Sequence, residues 1–315
     1  MVERGRRDGV DAASAADREP DVRPTEASSD PVVAVSGLRF TYPGAADETL
    51  RGLDFEIHPG EVVGFLGPSG AGKSTTQKVL VGLLDDYEGS VTVLGREVRE
   101  WGGDYYERVG VSAESPNTYV KLTGRENLDL FASLYDGETR DAEELLSLVG
   151  LSDAADRRVA DYSKGMKMRL NFARSLLHDP DLLFLDEPTT GLDPANARRV
   201  KDIVLDLQRS GTTVFVATHD MSVADELCDR VAFVVDGEIP VVDAPDALKR
   251  RHGSRRVRVE STEDGRERVR EFDPADEADA AALAEVVRSG RYDTIHTEEA
   301  TLETVFIDVT GRTLR

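Results

Sequence analysis

At 315 residues the chain can hold one large hydrophobic core and a smaller addition, so its length excludes no class of enzyme. Charge excludes more: 39 Lys and Arg against 61 Asp and Glu leave a net charge of −22, a poor surface for nucleic acid. One cysteine, Cys228, excludes an internal disulfide or thiolate metal site, fits a reducing compartment and reads as a small buried hydrophobe.

Only 7 of the 39 basic residues are Lys, and acidic residues fill nearly every surface-like stretch, a pattern that reads as adaptation to a salty cytoplasm. Dense carboxylates repel one another in dilute buffer, and 1 M salt, with a Debye length of roughly 3 Å, screens that repulsion. An ordinary acidic protein is the plainer alternative. No apolar run reaches the ~18 to 20 residues needed to span a bilayer, and the Arg- and Asp-rich start has no apolar signal-peptide core. The chain is expected to stay in the cytoplasm. If it moves anything across a membrane, another chain must supply the channel.

In chain order, residues 1–30 hold almost no large apolar side chain and are expected to be a disordered acidic tail. From Val32 the texture changes to short β-branched runs, VVAVSGLRFTY and then EVVGFLG at 61–67, which read as strands closed by Gly or Pro. There Gly67-Pro68-Ser69-Gly70-Ala71-Gly72-Lys73-Ser74-Thr75 matches G-x-x-x-x-G-K-[ST] between a strand and a helical run. Glycines let such a loop wrap so that its N–H groups and the next helix N-terminus face phosphates. Lys73 is expected to reach the β and γ oxygens, and the Ser74 hydroxyl to ligate Mg²⁺. Alone, the loop specifies only a nucleoside triphosphate, and a chance match on a Gly-rich loop is the alternative.

Further along, Thr123 and Glu126 make a capping box that opens an amphipathic helix with Leu128, Phe131 and Leu134 on one face. Tyr162-Ser163-Lys164-Gly165-Met166-Lys167 begins a helix reaching about Leu177, with Ser163 as a natural N-cap; by itself this is an ordinary cap. Leu182-Leu183-Phe184-Leu185-Asp186-Glu187 is an apolar strand ending in two carboxylates, at the sheet edge where ligands bind. Asp186 can hold Mg²⁺ through water, and Glu187 can orient and polarise an attacking water. A solvated acidic turn is the rival reading, weakened by the four hydrophobes that precede the pair. TTVFVAT at 212–218 and RVAFVVD at 230–236 complete a mostly parallel, buried sheet. After about Arg250 come a charged strand-like RRVRVE, an Ala-rich helical stretch near 274–289 and TLETVFIDV. Residues 253–315 are expected to form a small accessory domain.

From Val32 to about Val242 these motifs, in this order, resemble those of the ABC ATPases. The resemblance implies an α/β fold, with a P-loop NTPase core over 31–252 that carries an antiparallel β subdomain and a helical lobe at about 115–178, followed by a small C-terminal α+β appendage. It implies that Ser163, Lys164, Gly165 and Met166 are the signature facing a partner copy's ATP, that Asp193 in Thr190-Gly191-Leu192-Asp193 belongs to the dimer loop, and that His219 is the switch histidine beside the catalytic Glu187. Tyr42, in Phe40-Thr41-Tyr42-Pro43, resembles the aromatic that stacks on adenine. Taken singly, Tyr42 reads as a strand packing residue and His219 as a structural histidine. The implied assembly is a homodimer, with ATP and Mg²⁺ between Lys73 of one copy and Ser163 and Gly165 of the other.

Two positions depart from the wider family. Glu114, within Val111-Ser112-Ala113-Glu114-Ser115-Pro116-Asn117, stands where glutamine is usual; it offers an oxygen to Mg²⁺ but adds negative charge beside phosphates. Lys164 replaces the first glycine of the signature and returns a positive charge there if its side chain points inward. With Leu122 to Leu128 and the ending Thr301 to Arg312, these departures resemble the exporter-type branch that includes drug and antibiotic resistance pumps. The helical lobe is expected to bear the groove for a membrane permease's coupling helix, a plain core helix being the equal alternative. The implied function is an ATP-hydrolysing transporter subunit on the inner face of the cell membrane, with no nucleic-acid partner. The rival class is a soluble ABC ATPase acting on nucleic acid or ribosomes, which usually carries a coiled coil or a second core.

Overall fold

Alternating burial along Val33–Phe40 and Leu50–Ile57 makes these runs half-buried strands, β1 and β2. They pair antiparallel, from Val33 opposite Ile57 to Phe40 opposite Leu50. The computed structural model describes residues 30–252, 256–263, 266–298 and 300–312, so all but the last residue of the acidic tail expected over residues 1–30 lies outside the described residues. Continuous apolar Val62–Leu66 forms β3, buried at all five positions, and helix α1 (Lys73–Leu80) follows. Strands β4 (Glu88–Val93) and β5 (Arg96–Glu97) extend the antiparallel sheet to the order β2-β1-β4-β5.

The second sheet is the main one. Strand β6 (Val109–Ser112) leads into helices α2 (Gly124–Ala132), α3 (Ala142–Leu148) and α4 (Lys164–Arg174). The chain then alternates β7 (Leu182–Asp186), α5 (Pro194–Arg209), β8 (Thr213–Thr218), α6 (Met221–Leu227), β9 (Arg230–Val235), β10 (Glu238–Asp243) and α7 (Pro245–His252). The sheet order is β10-β9-β3-β8-β7-β6, parallel throughout except for the antiparallel edge strand β10. One face packs Phe65 and Phe215 against Phe55 of the antiparallel sheet, and the other packs Leu183, Leu185 and Val216 among the helices. This mixed α/β architecture with sheets of both kinds agrees with the sequence expectation.

The capping box is formed: the Glu126 amide donates to Thr123 Oγ1 at 3.1 Å, and the Thr123 amide donates to Glu126 Oε2 at 2.8 Å. Helix α2 ends sooner than its apolar stripe suggested. Tyr135 turns away to stack on His178, ring centroids 4.3 Å apart, so Leu134 falls outside the helix and is 69% exposed. Helix α4 likewise stops at Arg174, and Leu177 is reached through a turn.

Beyond α7, strands β11 (Arg256–Glu263), β12 (Arg266–Phe272) and β13 (Thr294–Glu298) form an antiparallel sheet in the order β12-β11-β13, and helix α8 (Glu277–Ser289) packs on it around Val257, Val259 and Phe272. Helix α9 (Leu302–Thr310) does not join this small core. Its Leu302, Val305 and Phe306 are buried in the main core, with the Phe306 ring edge-on to Phe233 at 5.1 Å. The apolar face of α9 thus packs on the larger body, while β11, β12 and α8 share the small core.

Candidate functional site

Close approach of backbone dictates the phosphate loop. A Cβ on Gly67 would stand 2.1 Å from the Val234 carbonyl oxygen, so no side chain fits, and Gly72 caps α1 with φ of 114°, in the left-handed region. Ser69, Gly70 and Ala71 lie between them, and Ala71 accepts the Gly237 amide from the β9–β10 turn at 2.9 Å. Lys73 is buried and folds back, its Nζ donating to the carbonyls of Gly67 at 2.6 Å and Pro68 at 3.1 Å. Burial pushes the Lys73 ammonium below its ordinary pKa, while the charges of Glu187, Asp186 and Glu114 pull it back up.

Asp186 closes β7, separated by β8 from the strand that leads into the loop, and the Ser74 hydroxyl acts on its carboxylate. Burial raises the Asp186 pKa; the Ser74 bond opposes the rise, Glu187 and Glu114 reinforce it, and Lys73 opposes it. A half-buried carboxylate beside a hydroxyl is the hard-oxygen donor pair that a small divalent cation takes when phosphates and water complete its shell.

Glu187 has a φ of 51°, in the left-handed region disfavoured for a side chain of its kind, and is 7% exposed. Four donors hold its carboxylate. Oε1 accepts from the His219 amide at 3.0 Å and lies 2.7 Å from His219 Nδ1; Oε2 accepts from Thr218 Oγ1 at 3.0 Å and Thr190 Oγ1 at 3.2 Å. The His219 ring remains largely exposed, at 56%. One side chain therefore joins β7, the end of β8 and the loop before α5. Sequence reasoning gave Thr190 and Thr218 no role, although Thr218 adjoins His219 and Thr190 opens the run that ends at Asp193.

Glu114 is exposed two residues past β6, and its charge acts on both Lys73 and Asp186. Tyr42 is half-buried, its ring edge-on to Phe40 at 4.9 Å and its hydroxyl 3.3 Å from Thr75 Oγ1. Ser163 caps α4, Oγ accepting the Met166 amide at 3.2 Å. Gly165 abuts Leu192, and the Lys164 stem lies over Gly191, so the start of α4 leans on the loop before α5. Asp193 caps α5 through the Asn196 amide at 3.0 Å and the Asn196 side chain at 2.6 Å, bonds that hold its carboxyl below the ordinary range. At the outer rim, Pro68, Ser69, Gly70 and Ala71 line a cleft of about 490 Å³ with Asp236 and Arg312, whose guanidinium grips the Asp236 carboxylate at 2.7 and 2.5 Å. That pair joins residues 76 apart, and nothing in the sequence signals it.

Among the described residues, no helix is long and apolar enough to cross a membrane. A sequence profile described as ABC transporter matches residues 50–190. The chain is 58% identical over 284 residues to a fluoroquinolones export ATP-binding protein of Mycobacterium tuberculosis, covering 90% of this chain and 94% of the relative. It is 40% identical to the daunorubicin/doxorubicin resistance ATP-binding protein of Streptomyces peucetius, over 72% of this chain and 69% of the relative. Its fold is similar, with a TM-score of 0.62 and 27% identity, to a dimeric ATP-binding cassette in a post-hydrolysis state with ADP and Pi bound, over 67% of this chain and 98% of that one. A likeness that spans nearly the full length of such a relative leaves one conclusion: the chain belongs to the ATP-binding subunits of ABC transporters, and it is an ATPase.

Proposed function

We propose that two copies of this chain close around two ATP–Mg²⁺ and reopen on hydrolysis, driving export through a separate membrane permease that holds them at the inner face of the membrane. The four-point hold on Glu187 carries this reading. A carboxylate fixed by Thr190, Thr218 and His219 keeps one orientation beside Asp186, as a group that polarises water for in-line attack on a γ-phosphate requires. Lys73 and the loop amides bind the phosphates, Tyr42 stacks the adenine, and Ser163 and Gly165 meet the partner copy's ATP, with Lys164 beside them and Asp193 in the loop between the sites. Ser74, Asp186 and Glu114 would hold Mg²⁺, which would supply charge neutralisation for the phosphates.

Export, and drug-like substrates as the cargo, are supported by the two relatives named for fluoroquinolone export and daunorubicin/doxorubicin resistance. Tyr119, Val120 and Leu134, 55%, 47% and 69% exposed around α2, supply an apolar rim suited to a permease's coupling helix. We assign the ATPase domain to 31–252 together with α9, and an accessory unit to the sheet and helix between them.

The experiment is Glu187→Gln. It keeps the shape and a hydrogen-bonding oxygen but removes the charge, so turnover should fall by ~10² to 10⁴ while ATP binding survives. The variant should then elute as a dimer with ATP and Mg²⁺ and as a monomer without nucleotide, and adding Ser163→Arg should abolish the dimer. Normal hydrolysis by Glu187→Gln, or a monomer at saturating ATP, would overturn the shared-site reading.

A further inference from the structure

Helix α4 begins at the signature, and its second half touches a different part of the site. Asn171 lies on that half, with no solvent exposure in a largely apolar surrounding. Its Nδ2 donates to Ser112 Oγ at 3.1 Å and to the Ala113 carbonyl at 3.1 Å. A carbonyl accepts only from a donor, so the amide's orientation is fixed by the Ala113 contact. Its Oδ1 has no partner among the described residues. Burying an amide with one end unpaired is unfavourable, and an apolar residue of the same size would avoid that. A second contact follows one turn later: Arg174 donates to the Asn117 carbonyl at 2.5 Å while its guanidinium covers the Phe131 ring at 4.6 Å.

The stretch held at these two points is 112–117. Ser112 ends β6 and pairs with Leu185 in the parallel ladder, one residue before Asp186. The direction in which the chain leaves β6 at Ser112 and Ala113 therefore decides where Glu114 stands relative to Asp186 and Lys73. At the other end of α4, Gly165 packs on Leu192 of the dimer loop.

We infer that Asn171 is a positioning residue: by holding Ser112 and Ala113 it sets the place of Glu114 at one nucleotide site, and through α4 it ties that place to the signature, which serves the other. The inference rests on the ATPase reading above, with Glu114 facing the magnesium of bound nucleotide. Glutamine is not needed at 114 because the loop is steered from behind. Displacement of the signature by the partner's nucleotide moves the loop as one piece with α4.

The test uses the full chain. Asn171→Leu keeps the volume and removes both bonds. It should melt as one cooperative unit, with the KM for ATP within about twofold of wild type at saturating Mg²⁺. The Mg²⁺ concentration for half-maximal turnover should rise by about tenfold, the low end of the effect of losing an outer-shell support. In the non-hydrolysing Glu187→Gln background, Mn²⁺ binding to the ATP-loaded chain, followed by its paramagnetic resonance, should weaken by a similar factor. Glu114→Gln added to Asn171→Leu should change little further, because Glu114 has already lost its place. An unshifted metal requirement, or independent multiplication of the two effects, would overturn the inference. If Asn171→Leu does not fold, Ser112→Ala removes one of the same bonds and should give a smaller shift in the same direction; no shift overturns the inference as well. A wild-type chain that hydrolyses no ATP would instead refute the ATPase reading.

Discussion

Burial pushes the Asp186 carboxyl above the ordinary carboxylate range, and neither the Ser74 hydroxyl bond nor the attraction of Lys73 cancels the combined effect of burial, Glu187 and Glu114. The nucleotide-free protein thus holds an ion that its surroundings disfavour, an arrangement that persists at functional sites because a ligand relieves it. Asp186→Asn keeps an oxygen for the Ser74 hydroxyl and removes the charge. The melting temperature of the nucleotide-free protein should rise, and Mg²⁺-dependent turnover should be lost. A lower melting temperature would mean that Lys73 needs the Asp186 charge more than the fold is burdened by it.

At the scale of elements, α9 gives the plainest stability prediction. Phe306 is fully buried against Phe233, so Phe306→Ala leaves a cavity in the main core and should destabilise the ATPase body by about 3 to 5 kcal/mol, read by chemical denaturation. Loss confined to the accessory sheet, with nucleotide binding retained at full stability, would contradict the placement of α9. The sequence shows why such an element escapes notice. Strands β3 and β7 are legible because continuous apolar runs end in motifs whose chemistry is local, and the capping box of α2 is legible because both partners lie within three residues. The destination of α9 depends on a ring 73 residues earlier, and the early stop of α2 depends on His178, 46 residues past the helix end. Likewise, the motifs name Glu187 and His219, but the threonines that complete the hold on Glu187 are settled only when β7, β8 and the loop before α5 meet. Periodicity reports the face an element must bury and says nothing about which surface will cover it.

For the whole molecule, the balance of 61 acidic against 39 basic residues dominates. Arg125 shows the pattern, bridging Glu143 and Asp156 at the surface, where water and salt screen the pair too well for it to offset a net charge of −22. Stability and ATPase activity should therefore rise with KCl toward molar concentrations as repulsion is screened. Equal melting temperatures in dilute buffer and in concentrated KCl would refute this. The return of α9 to the main core also bears on how the molecule comes into being. Phe233 leaves the ribosome some seventy residues before Phe306, and at roughly 5 to 20 residues per second several seconds of synthesis separate the two. Throughout that interval the nascent sheet shows a bare aromatic face beside a phosphate loop whose rim still lacks Arg312, so the rim is completed only after the sheet that carries it has been made.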